Sequence, residues 1–321
     1  MNGSPSAVAA ALRSATSILV CAHVNPDGDA LGSVLGLTLA LRAAGVPCVA
    51  TLADDGPVHD MYSWLPGAST VEPASSLEPP DTFVALDTPV LDRLGAASGL
   101  AQDARVRVVI DHHPDGEGFG DVRWVDPDKS AVGEMLWALM PELGVSPDSG
   151  VATCLYTAIL TDTGRFQYGN TTAGALRAAA DMVDAGADPR EVASRIYERR
   201  SAASLALSAV ALSRLSLVNH GRVAISWIED SDLAHTGACP DDADRLIDDI
   251  RMIEGVDAVV LIKEENGVVR ANLRAKSDAD VGAAARSLGG GGHAAAAGLT
   301  WDGCREALLA RLLPRLPGGG A

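Results

Sequence analysis

The sequence predicts an α/β fold in two parts: a domain built on a parallel β-sheet with helices on both faces, and a smaller α/β domain joined to it by a helical linker. Three observations support this prediction. The 321 residues are enough for two hydrophobic cores at roughly 150 residues per domain. In the first half, short β-branched runs alternate with Ala-rich helical segments, as in parallel sheets. The last third changes to a smaller set of strands around a hairpin signal.

The first domain is predicted over residues 1–189. Its expected elements are strands at 18–22, 46–52, 83–86 and 106–110, and helices at 31–43, 150–160 and 172–185. Gly45 and Pro47 mark the end of the first helix, because glycine ends helices and proline cannot continue them. Apolar residues at helical spacing support the two later helices.

The linker is predicted over residues 190–217, a helical stretch rich in Ala, Ser and Arg, and the second domain over 218–321. The expected elements of that domain are strands at 222–228, 256–263 and 268–275, and helices at 241–254 and 303–312. Between the last two strands, the pair Asn266 and Gly267 is a strong signal for a type I′ hairpin turn.

Composition and charge limit the function. The apolar runs fall far short of a membrane-spanning helix, and the N-terminus lacks a signal-peptide pattern, so no membrane partner is expected. A net charge of −17 repels long polyanions, so we expect no long nucleic acid as partner and only short phosphate substrates. The five cysteines form no CxxC pair, which argues against a disulfide framework or a thiolate zinc site and favours a reducing cytoplasm.

Acidic and imidazole side chains follow three predicted strands at their C-terminal ends, where open α/β sheets form their sites. They are His23, Asp27 and Asp29 after the strand 18–22, Asp87 after 83–86, and Asp111, His112 and His113 after 106–110. Asp162 follows the helix at 150–160. Each acid alone is explained at least as well by helix capping or turn formation.

A joint function explains the acids better than four separate capping roles. If Asp27, Asp29, Asp87 and Asp162 converge, each pair about 4 Å apart repels by on the order of 4 kcal/mol at an effective dielectric near 20. Bound cations or protonation would relieve that repulsion. Mixed carboxylate and imidazole ligands suit Mn²⁺, with Fe²⁺ or Co²⁺ as alternatives, better than the all-oxygen sites of Mg²⁺ or Ca²⁺.

These motifs resemble those of the DHH phosphoesterases. The resemblance rests on His23-Val-Asn-Pro-Asp27-Gly-Asp29-Ala-Leu-Gly-Ser33, Asp87, Asp111-His112-His113 and Asp162-Thr-Gly. Near the C-terminus, Asn272-Leu-Arg274-Ala-Lys276 and the segment from Gly289 to Gly298 resemble the DHHA1 substrate-binding domain. The resemblance covers nearly the whole chain and is greatest for the NrnA-type branch, which combines oligoribonuclease and phosphoadenosine-phosphate phosphatase activities.

The resemblance implies a dinuclear manganese site, with Mg²⁺, Co²⁺ or Fe²⁺ as alternative ions. One ion would be held by His23, Asp27 and Asp87, and the other by Asp29, Asp87, His112 and Asp162. Asp111 would orient an imidazole, and His113 would contact the scissile phosphate. An orienting carboxylate is physically reasonable, since a ligating histidine usually donates its second N–H to such a group.

The glycine run 289–292 has two interpretations. Alone, four glycines are typical of a flexible linker. Alternatively, their bare backbone N–H groups would cradle a terminal phosphate, with Arg274 adding a bidentate contact. The resemblance implies the second interpretation, with substrate bound by Arg274, Gly290, Gly291, Gly292 and His293. The chain departs from many relatives in having alanine at both 294 and 295.

Two adjacent metal ions activate water and neutralise phosphoryl charge, so phosphoryl transfer to water is the expected reaction. The resemblance implies cleavage of short oligoribonucleotides and of linear or cyclic dinucleotides (pApA, pGpG, cyclic di-AMP) to 5′-mononucleotides, and conversion of 3′-phosphoadenosine 5′-phosphate to AMP. Three alternatives stay open: a manganese inorganic pyrophosphatase, a single-strand DNA exonuclease, and a non-catalytic nucleotide sensor. The sequence also leaves open whether the chain forms a homodimer.

Overall fold

The computed structural model describes residues 3–113, 118–243, 245–265, 267–276, 279–292 and 294–319. The chain divides into two compact units, Met1–Glu198 and Arg199–Ala321. Both units combine a β-sheet with helices, which confirms the α/β fold class.

The first unit is built on a six-stranded parallel sheet. Its strands are β1 (Ile18–Cys21), β2 (Cys48–Leu52), β3 (Val71–Pro73), β4 (Thr82–Leu86), β5 (Val106–Asp111) and β6 (Val122–Val125). They lie in the order β3-β2-β1-β4-β5-β6, and every pair is parallel. The short strands β3 and β6 were not predicted, because three or four residues at a sheet edge leave little alternation to detect.

Helices cover both faces of this sheet, as predicted. They are α1 (Pro5–Ser14), α2 (Gly28–Ala43), α3 (Ser98–Asp103), α4 (Val132–Leu143), α5 (Ser149–Asp162), α6 (Ala173–Asp184) and α7 (Pro189–Tyr197). Alternate strand residues reach opposite cores: Val20 and Val84 pack with α1, α2, α4 and α5, whereas Leu19 and Phe83 pack with α3 and the turn Leu91–Ala97.

Three glycines on one face of α2 bring α5 unusually close. A Cβ on Gly32 would lie 2.4 Å from the carbonyl oxygen of Cys154. A Cβ on Gly28 would meet Thr161 at 2.4 Å, and one on Gly36 would meet Leu155 at 2.6 Å. Because α2 starts beside the end of β1 and α5 ends at Asp162, this contact carries the end of α5 to the C-terminal edge of the sheet.

The second unit contains a mixed sheet. Its strands are β7 (Ser216–Val218), β8 (Val223–Glu229), β9 (Ala258–Glu265), β10 (Val268–Ala275), β11 (Gly291–Gly292) and β12 (Ala296–Trp301), in the order β11-β12-β10-β9-β8-β7. Its helices are α8 (Ala202–Ser213), α9 (Asp230–Thr236), α10 (Leu246–Arg251), α11 (Val281–Arg286) and α12 (Arg305–Leu312). The β9–β10 hairpin pairs Glu265 with Val268, and Gly267 has φ +77°; Asn266 lies outside the described residues.

The predicted linker, 190–217, is divided between the two units. Helix α7 packs Val192 and Ile196 into the core of the first unit, while α8 packs Leu207 and Ala211 into the second. The first unit therefore extends past residue 189 to Glu198. Within the described residues, no helix combines the length and apolar character needed to cross a membrane.

We expect Gly32→Ala to lower the free energy of unfolding by about 1–3 kcal/mol, because the new methyl group would press on the backbone of α5. Gly99→Ala is the matched control: Gly99 also lies in a helix, and a Cβ there meets no atom within 4 Å. The control should be neutral or stabilising by up to about 1 kcal/mol. Urea unfolding of both variants measures the difference, and equal stabilities would contradict the packing argument.

Candidate metal centre and nucleotide pocket

The predicted metal ligands lie together at the C-terminal edge of the parallel sheet. Strands β1, β4 and β5 are neighbours, so the residues that follow them meet at one edge, and α5 adds Asp162. The shortest approaches are His23 Nε2 to Asp87 Oδ2 at 3.3 Å, His112 Nε2 to Asp87 Oδ1 at 3.5 Å, His112 Nε2 to Asp162 Oδ2 at 3.8 Å, and His112 Nε2 to Asp29 Oδ2 at 3.9 Å.

Within the described residues, three groups have the spacing to hold a metal ion, with ligand atoms within 4.8 Å of one another. They are His23 with Asp27 and Asp87, Asp29 with His112 and Asp162, and Asp87 with His112 and His113. Asp87 belongs to two of these groups, and its Oδ1 lies 3.5 Å from His112 of the third. The arrangement therefore offers two adjacent ligand sets around one central carboxylate.

The environment of the Asp87 carboxylate shows whether these residues are suited to binding a cation. Its side chain is buried, with 2% of the residue exposed, and its Oδ1 atom has no hydrogen-bond partner. Its backbone has φ +56°, a left-handed conformation that non-glycine residues adopt at a cost. A buried, unsatisfied carboxylate oxygen is unfavourable unless a cation binds it. The donor set fits a divalent metal.

The electrostatics of the centre show an excess of buried acids. Burial and the nearby charges of Asp87 and Asp162 raise the pKa of Asp29 well above its usual value. Burial also raises the pKa of Asp162 to about 6. Burial would raise the pKa of Asp87 as well, but the imidazoles of His112 and His23 outweigh it and lower that pKa. Although burial opposes protonation of His112, Asp87 and the other acids raise its pKa to about 10.

Hydrogen bonds at Nδ1 fix the direction of two imidazoles. Nδ1 of His23 lies 2.8 Å from the carbonyl oxygen of Val24, and Nδ1 of His112 lies 3.2 Å from that of Lys129. A carbonyl accepts, so each Nδ1 carries the proton. Each Nε2 therefore faces the carboxylates, and its lone pair becomes available to a metal ion once the imidazole is neutral.

Asp111 orients His113 and not His112. Its Oδ1 accepts from the backbone N–H of His113 at 3.2 Å and lies 2.8 Å from Nδ1 of the same residue. This bond raises the pKa of His113. The partner of His112 is a backbone carbonyl, which no sequence motif identifies.

Asp27 and Asp29, at the start of α2, accept backbone hydrogen bonds that hold their side chains at the candidate metal centre. Asp27 caps α2 by accepting from Ala30 N–H at 3.0 Å. Asp29 is held from the other side, because its two oxygens accept from the backbone N–H groups of Val132 and Gly133, at 2.7 and 3.0 Å. The Ser33 hydroxyl adds a bond of 3.0 Å to Asp29. Capping and metal binding are therefore compatible at these acids.

Asn170 is a site residue that the sequence did not predict. Its Nδ2 donates to the Asp162 side chain at 3.3 Å, to the Asp162 carbonyl at 3.1 Å and to the Ser130 carbonyl at 3.2 Å. It therefore fixes Asp162 against the loop before α4. An asparagine in a polar loop has no spacing signal that could have identified it.

In the second unit, one face of β10 carries Arg270, Asn272 and Arg274 on alternate residues. Their cross-strand neighbours on β12 are Thr300, Gly298 and Ala296. A pocket of about 450 Å³ opens on this face. Its lining residues are Arg270, Asn272, Gly289, Gly290, Gly291, Gly298, Leu299 and Thr300.

The glycine run is part of the sheet and not a free linker. Gly291 and Gly292 form β11 against β12. A Cβ on Gly290 would lie 2.4 Å from the Gly298 carbonyl oxygen, so a side chain is excluded there. Of the predicted substrate residues, Gly290 and Gly291 line the pocket, and Arg274 lies on the same face of β10. Gly292 belongs to β11 but is not part of the lining, and His293 lies outside the described residues. Arg270 and Asn272 were not predicted as site residues.

Comparisons with known proteins identify the family. The model of the DHH family, N-terminal domain, matches residues 17–159, and that of the DHHA1 domain matches residues 220–315. The bifunctional oligoribonuclease and PAP phosphatase NrnA of Thermus thermophilus is 35% identical over 293 residues, which cover 89% of this chain and 84% of the relative. The chain belongs to the DHH family. Its resemblance to the DHH phosphoesterases is thereby confirmed.

Two further known proteins match over a similar length. The enzyme of the same name from Bacillus subtilis is 28% identical over 303 residues, 89% of this chain and 90% of the relative. An exopolyphosphatase-related protein from Bacteroides fragilis has the same fold, with a TM-score of 0.87 at 22% identity over 94% of this chain and 91% of that one. This DHH-family chain is a phosphoesterase.

We expect metal loading of this DHH centre to release protons. At pH 7 the metal-free centre holds a proton on His112, whose pKa is about 10, and a metal ion must displace it. Affinity should rise with pH and fall steeply below about 6, where Asp162 is protonated. Calorimetric titration with Mn²⁺ in buffers of different ionisation enthalpy should report release of about one proton or more per chain. A heat independent of the buffer would contradict this.

Proposed function

We propose that this chain is a manganese-dependent phosphohydrolase of short nucleotides. It cleaves oligoribonucleotides and linear or cyclic dinucleotides, such as pApA, pGpG and cyclic di-AMP, to 5′-mononucleotides, and it dephosphorylates 3′-phosphoadenosine 5′-phosphate to AMP. The observation that carries the proposal is the pair of neighbouring ligand groups, His23 with Asp27 and Asp87, and Asp29 with His112 and Asp162. Oligoribonuclease and PAP phosphatase are the activities named for the relatives from Thermus thermophilus and Bacillus subtilis.

The proposed ligand sets follow the two groups. His23, Asp27 and Asp87 would hold one ion, and Asp29, His112 and Asp162 would hold the other, with Asp87 close enough to serve both sets. Imidazole in both sets favours Mn²⁺, with Co²⁺ or Fe²⁺ as alternatives, over Mg²⁺, which prefers oxygen ligands and its own waters. Two such ions supply a water nucleophile at neutral pH and stabilise negative charge on the phosphoryl oxygens.

The chain's own residues orient and polarise the phosphate. We assign Nε2 of His113 to donate a hydrogen bond to a phosphoryl oxygen, while Asp111 holds Nδ1 of the same ring. The raised pKa of His113 favours the protonated imidazole, which suits contact with an anion. Lys129, through its carbonyl oxygen, keeps His112 in the tautomer that presents Nε2 to the metal.

The glycine-lined pocket is the proposed site for the terminal nucleotide. Backbone N–H groups at Gly291 and Gly292, together with Arg274 and His293, are the proposed donors for a terminal phosphate. The N–H of Gly290 already donates to the Ala285 carbonyl oxygen at 2.9 Å, so Gly290 contributes only its bare backbone to the pocket wall. A volume of about 450 Å³ suits a small ligand. The net charge of −17 disfavours long nucleic acids and is consistent with short substrates. We also propose a cytoplasmic location, consistent with five free cysteines.

The proposed activity predicts Mn²⁺-dependent release of AMP. The purified chain is incubated with Mn²⁺ and, separately, pApA, cyclic di-AMP, phosphoadenosine phosphate, pyrophosphate or a long single-stranded DNA, and the products are resolved by chromatography. Asp87→Ala should lose at least about 100-fold in rate, because even partners that only orient metal ligands contribute 10- to 100-fold.

The same assay separates the alternatives. Turnover of pyrophosphate alone would indicate the pyrophosphatase, and turnover of long DNA the exonuclease. Nucleotide binding without turnover in any Mn²⁺-loaded sample would indicate the nucleotide sensor.

His113→Ala should separate catalysis from metal binding. If His113 contacts the phosphate, kcat should fall by about 10²–10³, as for loss of a donor to a developing anion, while the Mn²⁺ content stays at two ions per chain. His112→Ala should instead lose one ion. Metal analysis after gel filtration decides between the roles; loss of an ion from His113→Ala would make His113 a ligand.

Arg274→Gln should weaken substrate binding more than catalysis. A charge-assisted hydrogen bond of about 1.5–3 kcal/mol corresponds to a rise in KM for pApA of roughly 10- to 100-fold. Arg311→Gln is the control, because Arg311 lies on helix α12, where it stacks on Trp301 away from Arg274. Steady-state kinetics of both variants test this, and an unchanged KM for Arg274→Gln would remove the residue from the substrate site.

A further inference from the structure

A six-residue segment, 129–134, spans the end of the loop after β6 and the first turn of α4, and its backbone makes hydrogen bonds to the candidate metal centre. At its start, the carbonyl oxygen of Lys129 accepts from Nδ1 of His112 at 3.2 Å. At its end, the N–H groups of Val132 and Gly133 donate to Asp29 at 2.7 and 3.0 Å. The segment thus fixes a histidine and a carboxylate that belong to the same candidate ligand group.

The third member of that group is tied to the same segment. Asn170 donates to the carbonyl oxygen of Ser130 at 3.2 Å and to Oδ2 of Asp162 at 3.3 Å. Asp29, His112 and Asp162 are therefore all positioned against residues 129–134. Among the described residues, the segment makes no hydrogen bond to His23, Asp27 or Asp87, so its direct contacts are confined to one ligand set.

The conformation of the segment depends on the side chain of Glu134, which folds back on it. Oε2 of Glu134 accepts from the Ser130 backbone N–H at 3.0 Å and from the Ser130 hydroxyl at 2.9 Å. Oε1 accepts from Lys129 Nζ at 3.0 Å. Glu134 is 4% exposed and Ser130 fully buried, so water does not replace the two bonds between them. A buried carboxylate with three donors is a strong local constraint.

We infer that Glu134 is a positioning residue for the metal ion held by Asp29, His112 and Asp162, acting through the backbone of residues 129–134; this inference rests on the proposed function. Glu134 is not itself a ligand. Both of its oxygens are occupied by donors, and a Cβ on Gly174 would lie 2.8 Å from its Oε1, so α6 covers it closely.

Glu134→Gln tests the inference with little change in volume. The glutamine oxygen can still accept from Ser130, but its amide group presents N–H to the Lys129 ammonium, where Glu134 presented an acceptor. We expect one Mn²⁺ ion per chain to bind with unchanged affinity and the other 10- to 100-fold more weakly, the range for partners that orient metal ligands. Glu142→Gln, an exposed carboxylate on the same helix, is the matched control.

Three readouts distinguish positioning from a general loss of structure. Calorimetric Mn²⁺ titration gives the two affinities, electron paramagnetic resonance reports whether two ions are coupled, and the melting temperature of the metal-free protein checks the fold. The Mn²⁺ concentration for half-maximal activity should rise while KM for pApA stays constant, and excess Mn²⁺ should restore kcat.

Two further variants keep the inference testable if Glu134→Gln does not fold. Lys129→Met removes one donor to Glu134, and Asn170→Ala removes the bridge between Ser130 and Asp162. Each should weaken the same ion, with the other unaffected. Two native Mn²⁺ affinities in all folded variants would overturn the inference. If the wild-type chain binds no Mn²⁺ or hydrolyses no nucleotide, the proposed function fails instead.

Discussion

The mutual repulsion of buried carboxylates at one edge of the first sheet is the constraint on which the rest of the site depends. Asp29, Asp87 and Asp162 are drawn together by strand order and by helix packing, and their environment resists ionisation of Asp29 and Asp162. The imidazoles compensate only in part, since Asp87 retains an oxygen without a hydrogen bond. The fold therefore stores an unfavourable charge arrangement that cations relieve, so folding, metal binding and protonation are one linked equilibrium.

Two kinds of structure hold that arrangement in place. Strands β1, β4 and β5 supply the residues that follow them at fixed spacing, because adjacent strands lie about 4.8 Å apart. The remaining positions come from backbone groups: carbonyls of Val24 and Lys129 orient imidazoles, and the N–H groups at the start of α4 receive Asp29. A ligand held by backbone hydrogen bonds loses little freedom when the metal binds, which favours affinity.

The sequence predicted those helices, strands and site residues that follow a local pattern along the chain. The central strands and the helices α2, α5 and α6 follow from apolar periodicity, and the acids and histidines that follow the strands could be identified because strand ends of a parallel sheet share an edge. What could not be predicted depends on contacts between distant residues. Asn170 reaches Asp162 across a loop, and Arg270 joins the pocket by its register against β12. Which of two neighbouring imidazoles Asp111 orients depends instead on the direction of the side chains at the end of β5.

The glycine contact between α2 and α5 has a further consequence. Where leucines interlock, a change in one side chain is absorbed by its neighbours through new rotamers. Gly28, Gly32 and Gly36 have no rotamers, and what they meet includes the main chain of α5. A displacement there moves whole helices, and Gly32 lies less than one turn from Asp29. The spacing of Asp29 on α2 and Asp162 on α5, two members of one ligand set, therefore depends on glycines that touch neither metal nor substrate. Natural substitutions at this glycine contact would change activity and metal preference while every metal ligand stays the same.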